Sequence, residues 1–258
     1  MPADPSYRIF LISVFWAVAG FASYYLLAKN ELLSRRLRNI VSRWNFHIIQ
    51  VVLQRTWGVV FLGIFSGLII KVILNDSLIA YGLGFSFSRP PPWWAYLILP
   101  LIMAGSHLQA SRSANLSLYP QFRIMRWTSR IFLLNAITWI LFLIAYEFLF
   151  RGFLLFGSMY VLEPRQAVLL NCLLYALAHL YKGPTETIGA IPFGVLLCYL
   201  TLITGNIWSA VVIHSFMALT NEWMSIRAHP GMSLVKRKNH KNNKTRDREG
   251  QVLEAQNI

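Results

Sequence analysis

Residues 131–157 read IFLLNAITWILFLIAYEFLFRGFLLFG, an apolar run whose only charges are Glu147 and Arg151. At about 1.5 Å per residue a helix of this length crosses a hydrocarbon core of about 30 Å. Six further windows are long and poor enough in charge to do the same, giving seven in all: 7–28, 47–73, 93–110, 131–157, 166–182, 187–204 and 206–226. With 56% hydrophobic residues and a mean hydropathy of +0.49, the chain reads as an all-α, polytopic membrane helix bundle and not as an ordinary soluble domain.

The excess of 24 Lys and Arg over 10 Asp and Glu could suggest nucleic acid. Its distribution excludes that partner. Lys29, Arg35, Arg36, Arg38 and Arg43 lie between the first two windows; Arg112, Arg123, Arg126 and Arg130 lie between the third and fourth. The remaining cluster runs from Arg227 through Lys236, Arg237, Lys238, Lys241, Lys244, Arg246 and Arg248. Seven crossings put all three clusters on one side, and the connectors at 74–92, 158–165 and around Gly205 on the other. This positive-inside pattern predicts an outer N-terminus, a cytoplasmic C-terminus and the lipid bilayer as the partner of the basic charge.

Three regions follow: a three-helix membrane region at 1–130, a four-helix core at 131–226 and a basic, disordered tail at 227–258. Asp4 precedes the first window, with neither a basic n-region nor a small-residue cleavage site, so a retained helix is expected and not a cleaved signal peptide. Trp93 and Trp94 suit the membrane interface. Gly63 and Gly67 form a GxxxG, a weak indication of close helix packing. Cys172 and Cys198 fall inside windows and read as membrane thiols without a disulfide.

An ionisable side chain inside a spanning helix costs about 2.5–3.5 kcal/mol on insertion scales and therefore marks a candidate site. The second half offers Glu147, Arg151, His179 and His214. Glu147 and Arg151 share a face at i, i+4 and can pair. Counting from the turn near Pro164 sets His179 beside Glu147 and Tyr175 beside Arg151, with His214 descending from Gly205 to a similar depth. Two chemistries could use this set. A carboxylate and an imidazole could polarise a water for attack on an amide. Alternatively, His179, His214 and Glu147 could bind Zn²⁺, although no HExxH helix is present.

The same residues resemble a known family, the CPBP intramembrane proteases, which include the type II CAAX prenyl endopeptidases and bacterial bacteriocin-processing and self-immunity proteins. Its pattern is EExxxR, FxxxH and HxxxN on successive helices. YEFLFRG at 146–152 matches the first with Tyr146 in place of the leading Glu, and YALAH at 175–179 matches the second with Tyr for Phe. IHSFMA keeps His214, but Ala218 stands at the Asn position. The run from Ile191 through Gly194 and the Thr204–Gly205 turn into His214 is similar as well. The resemblance covers roughly 131–220.

It implies an intramembrane endopeptidase of a bacterial plasma membrane, acting without a cofactor on a membrane-associated peptide or protein near an embedded or lipidated terminus. Glu147, Arg151, His179 and His214 would be its catalytic set, with Tyr146, Tyr175 and Asn221 as auxiliaries. Asn221 lies at i+7 from His214 on the same face; Glu186 beside the KGPTE turn reads first as a solvated loop carboxylate and otherwise as the other acid that could reach the site. Because Tyr146 and Ala218 depart from the pattern, a catalytically impaired scaffold, immunity or chaperone-like protein is the alternative. A small transporter relaying protons through the buried groups is a third reading.

Overall fold

The computed structural model describes residues 4–41 and 43–235. The predicted tail from Lys236 onward lies outside the described residues. The described chain is helical throughout, apart from connectors and one pair of two-residue strands. Helix α1 spans Pro5–Ala28, started by Asp4, whose side chain accepts from the Ser6 amide, and by Pro5 at a position where its missing N–H costs nothing. A short exposed helix, α2 (Glu31–Ile40), joins it to α3 (Arg43–Gly58), which continues through π-helical turns to Ile73. Helix α4 (Ile98–Gln109) follows a 3₁₀ turn at Trp93–Leu97.

The second half supplies α5 (Ser129–Glu147), extended through the π-helical turn Phe148–Leu154 to Ser158, then α6 (Pro164–Leu177), α7 (Pro184–Thr204) and α8 (Trp208–Ala228). Gly205 ends α7 with φ +72°, a left-handed conformation that glycine adopts without a steric penalty. Among the described residues, four helices are long and apolar enough to span a bilayer: Pro5–Ala28, Phe46–Ile73, Ser129–Ser158 and Pro184–Thr204. This is an integral membrane protein. Its outward-facing apolar side chains agree with that, Phe15, Val72, Leu101 and Leu169 each being 70% exposed or more.

The other three predicted windows are helical too, but 166–182 is not one helix. Helix α6 stops at Leu177, and a 3₁₀ turn at Leu180–Lys182 leads to Gly183, φ +100°. Pro184 disfavours a helical conformation at Gly183, so the turn must tighten and end there. His179 consequently stands at a helix end and not midway along a span.

Contacts between connectors fall into two groups. Arg8 donates to the Ile73 carbonyl, Tyr160 to Asp76, the Ser88 amide to Thr204 and the Ile207 amide to Gly82. At the opposite end Arg126–Trp127 pairs in parallel with Ser233–Leu234, Asn115 donates to Ser225, and Tyr25 packs on Tyr181. The largest core cluster draws on both halves, joining Ala17, Tyr24, Leu62 and Tyr81 to Phe142, Tyr146, Phe150 and Tyr175. Within it the Gly63 backbone lies against Ala145: an added Cβ would meet the Ala145 Cβ at 2.9 Å. This glycine permits the close approach of α3 to α5.

Candidate active site

Helices α5 and α8 run antiparallel and are cross-linked at two levels. At one, Glu147 Oε1 lies 2.5 Å from Nδ1 of His214. At the other, eight residues away on each helix, Trp139 Nε1 donates to Glu222 over 3.1 Å. Eight helical residues separate the two links by about 12 Å. A cavity of about 350 Å³ opens beside this interval, lined by Trp139, Phe142 and Tyr146 of α5 and by His214, Ala218 and Asn221 of α8. His179 and Glu186 line it as well.

Glu147 and Arg151 are wholly buried, with Glu147 Oε2 3.2 Å from Arg151 Nη1. The pair does not line the cavity. The Arg151 guanidinium sits 4.0 Å over the Tyr175 ring, so a buried cation is met by a carboxylate on one side and an aromatic face on the other. Gly194 on α7 gives them room, since a Cβ there would stand 3.1 Å from Tyr175 and 3.6 Å from Arg151 Nη2. Glu147 touches the cavity only through His214.

The two histidines are held alike. His179 Nδ1 lies 2.9 Å from the Tyr175 carbonyl, which can only accept, so Nδ1 carries the proton. His214 Nδ1 faces a carboxylate and is protonated for the same reason. In the neutral imidazoles both Nε2 atoms are then free acceptors. Tyr146 stands between the rings, its centroid 6.2 Å from that of His179 and 5.9 Å from that of His214. In the connector before α5, Tyr119 also lines the cavity, and burial pushes its hydroxyl up to about 12, keeping it a neutral hydrogen-bonding group.

The zinc alternative needs Glu147 beside both imidazoles. The structure instead commits one carboxylate oxygen to His214 and pairs the other with Arg151. Among the described residues no three His, Cys, Asp or Glu side chains are grouped to hold a metal, and two imidazoles fall short of the three protein ligands of a catalytic zinc. The donor set does not fit the ion.

Of the other singled-out residues, Asn221 lines the cavity and Tyr175 is buried beneath Arg151. Glu222 does not line the cavity; it accepts from the Gln121 amide, Asn135 Nδ2 and Trp139 Nε1. Its cation is Arg55, 3.9 Å away and 4% exposed. Arg55 donates to the Asn135 carbonyl and side chain, to Thr138 and to Gln121. The sequence reading passed over Arg55, although a lone arginine inside the second window meets the same criterion that picked out Glu147.

Residues 126–220 match the family model described as Type II CAAX prenyl endopeptidase Rce1-like. The match includes Glu147, Arg151, His179 and His214, and it agrees with the CPBP resemblance carried by the three motifs. That family is one of CAAX-type intramembrane proteases, and the segment similar to it is the one that carries these four residues. No curated protein and no solved structure matches the chain.

Proposed function

We propose that the protein is an intramembrane endopeptidase that hydrolyses a peptide bond near a membrane-embedded or lipidated terminus, using a water held by His179 and His214. One observation carries this reading: two imidazoles of the family-matched segment, both with occupied Nδ1 atoms, line one cavity. A water has two O–H donors, and the two Nε2 atoms offer two acceptors.

His214 is the general base. It takes a proton from the water as the oxygen attacks the carbonyl carbon, and Glu147 stabilises the resulting imidazolium through Nδ1–H, as the carboxylate does in hydrolytic Ser-His-Asp triads. Arg151 keeps Glu147 ionised and in place. Tyr146 donates to the oxyanion, the part that an asparagine at 218 would play in the resembled pattern. The imidazolium then returns its proton to the leaving amine as the carbon–nitrogen bond breaks. A tyrosine is a poor base at neutral pH, with an ordinary pKa near 10, but a competent hydrogen-bond donor. On this reading the departure at 146 changes that residue's role and leaves the water to the histidines.

The test is cleavage of a farnesylated CAAX peptide, or of a co-expressed small membrane precursor, by purified protein in liposomes. Parent protein cleaves, and His179→Ala and His214→Ala do not. If no substrate is cut and His179→Ala still complements a deletion strain, the peptidase reading fails and a non-catalytic scaffold takes its place.

A further inference from the structure

The charge on the cavity wall is unbalanced. Lys29, Arg55 and Lys182 line it against a single carboxylate, Glu186. Arg55 is neutralised from behind by Glu222, and both its terminal nitrogens are engaged. Lys29 and Lys182 are different. Among the described residues neither forms an ion pair within 4.0 Å. Both ammoniums instead approach one ring, that of Tyr181, at 5.7 and 6.0 Å from its centroid. Two like charges gathered at the wall of a protein cavity repel each other, with less screening than on an open surface. Against Glu186 they leave one positive charge, the complement of one carboxylate.

Lys182 owes its place to the tight turn that follows α6. Its amide donates to the His179 carbonyl over 2.9 Å. In a 3₁₀ turn the side chains at i and i+3 eclipse, so Lys182 projects over the His179 side, about 6 Å along the turn axis. A ligand lying against the imidazoles thus extends toward the ammonium. Lys182 is half-buried, whereas Lys29 is exposed at the rim.

We propose that Lys182, assisted by Lys29, forms an anion subsite that binds the terminal carboxylate of the peptide whose bond lies at His179 and His214. The subsite rests on the peptidase reading and assigns the recognition of a free carboxyl terminus to these two residues of the cavity wall. Tyr181 orients both ammoniums through its ring face.

The experiment measures binding with cleavage followed in the same samples. Full-length protein in detergent is titrated with a fluorescently labelled, farnesylated tetrapeptide bearing a free carboxylate, and with the same peptide amidated. Parent protein is expected to bind the acid at least ten-fold more tightly than the amide. Lys182→Gln should bind the two within two-fold of each other, Lys29→Gln should fall between, and Lys182→Arg should keep the preference. Equal binding of acid and amide by the parent overturns the subsite, as does a preference that survives in the Lys29→Gln, Lys182→Gln double variant. If phosphatidylglycerol abolishes the preference by competition at the micromolar level, the lysines serve a lipid headgroup and the proposal falls. Binding of neither peptide by the parent defeats the subsite and the peptidase reading together, whereas binding and cleavage without discrimination defeat the subsite alone.

Discussion

Glu147 Oε1 stands 2.5 Å from Nδ1 of His214, and Glu147 itself lines no part of the cavity that His214 faces. On the proposed mechanism the carboxylate would act on a reacting water through the imidazole. Glu147→Gln keeps the shape but leaves an amide where the imidazolium needs a negative charge. We expect kcat to fall by about 10²–10⁴-fold, the usual worth of general-base catalysis, with KM nearly unchanged. The check is steady-state cleavage with peptide binding measured alongside; a rise in KM at constant kcat would place Glu147 in substrate binding instead.

Arg151 and Glu147 are a fully buried ion pair, and such pairs are asymmetric in their response to substitution. Removing one partner strands the other charge. Arg151→Met should destabilise the protein by about 3–5 kcal/mol, while Glu147→Leu with Arg151→Met should recover much of that loss. Unfolding of the three variants in detergent, followed by circular dichroism, decides it. A double variant no more stable than Arg151→Met would mean that the pair contributes through Tyr175 and its surroundings more than through charge.

The fold class was legible in the long apolar windows, and the candidate site in the few charges those windows enclose. Glu147, Arg151, His179 and His214 stand out because charge is expensive in an apolar helix, and the i, i+4 interval was enough to pair Glu147 with Arg151. The partner of His214 was less accessible, because it depends on the antiparallel offset of α5 against α8, which no local pattern encodes. The 3₁₀ turn at Leu180–Lys182 was missed because the apolar residues run on past Leu177; Gly183–Pro184 carried the stop signal. Division at residue 130 gives little warning that Ala17, Tyr24 and Leu62 share a core with Phe142 and Tyr146.

Tyr146 and Ala218 line the same cavity, and Ala218 lies one turn after His214. If Tyr146 donates to the oxyanion, Tyr146→Phe removes the donor while keeping the ring between the histidines. The expected loss is about 10²–10³-fold in kcat, typical of one oxyanion donor. Ala218→Asn, introduced into Tyr146→Phe, should restore at least ten-fold of it. A Tyr146→Phe variant as active as the parent would assign the oxyanion to another group, with Asn221, which also lines the cavity, the next to test.

Arg55 joins the first half of the chain to the second at the far end of the cavity. Its guanidinium links α3 to Asn135 and Thr138 on α5 and to Glu222 on α8, and it packs 4.3 Å from the Trp139 ring. It supports the second of the two cross-links between α5 and α8, Trp139 with Glu222, the first being Glu147 with His214. Loss of Arg55 as Arg55→Met leaves Glu222 buried with neutral donors only, and we expect about 3–5 kcal/mol of destabilisation. Arg55→Met with Glu222→Met should be close to the parent in stability but slower in cleavage, because apolar packing replaces the buried charge without fixing the offset that sets His214 across from His179. Melting and kcat measured on the same preparations separate the two effects. A double variant that is both stable and fully active would confine Arg55 and Glu222 to packing and leave the alignment of the histidines to Glu147 alone.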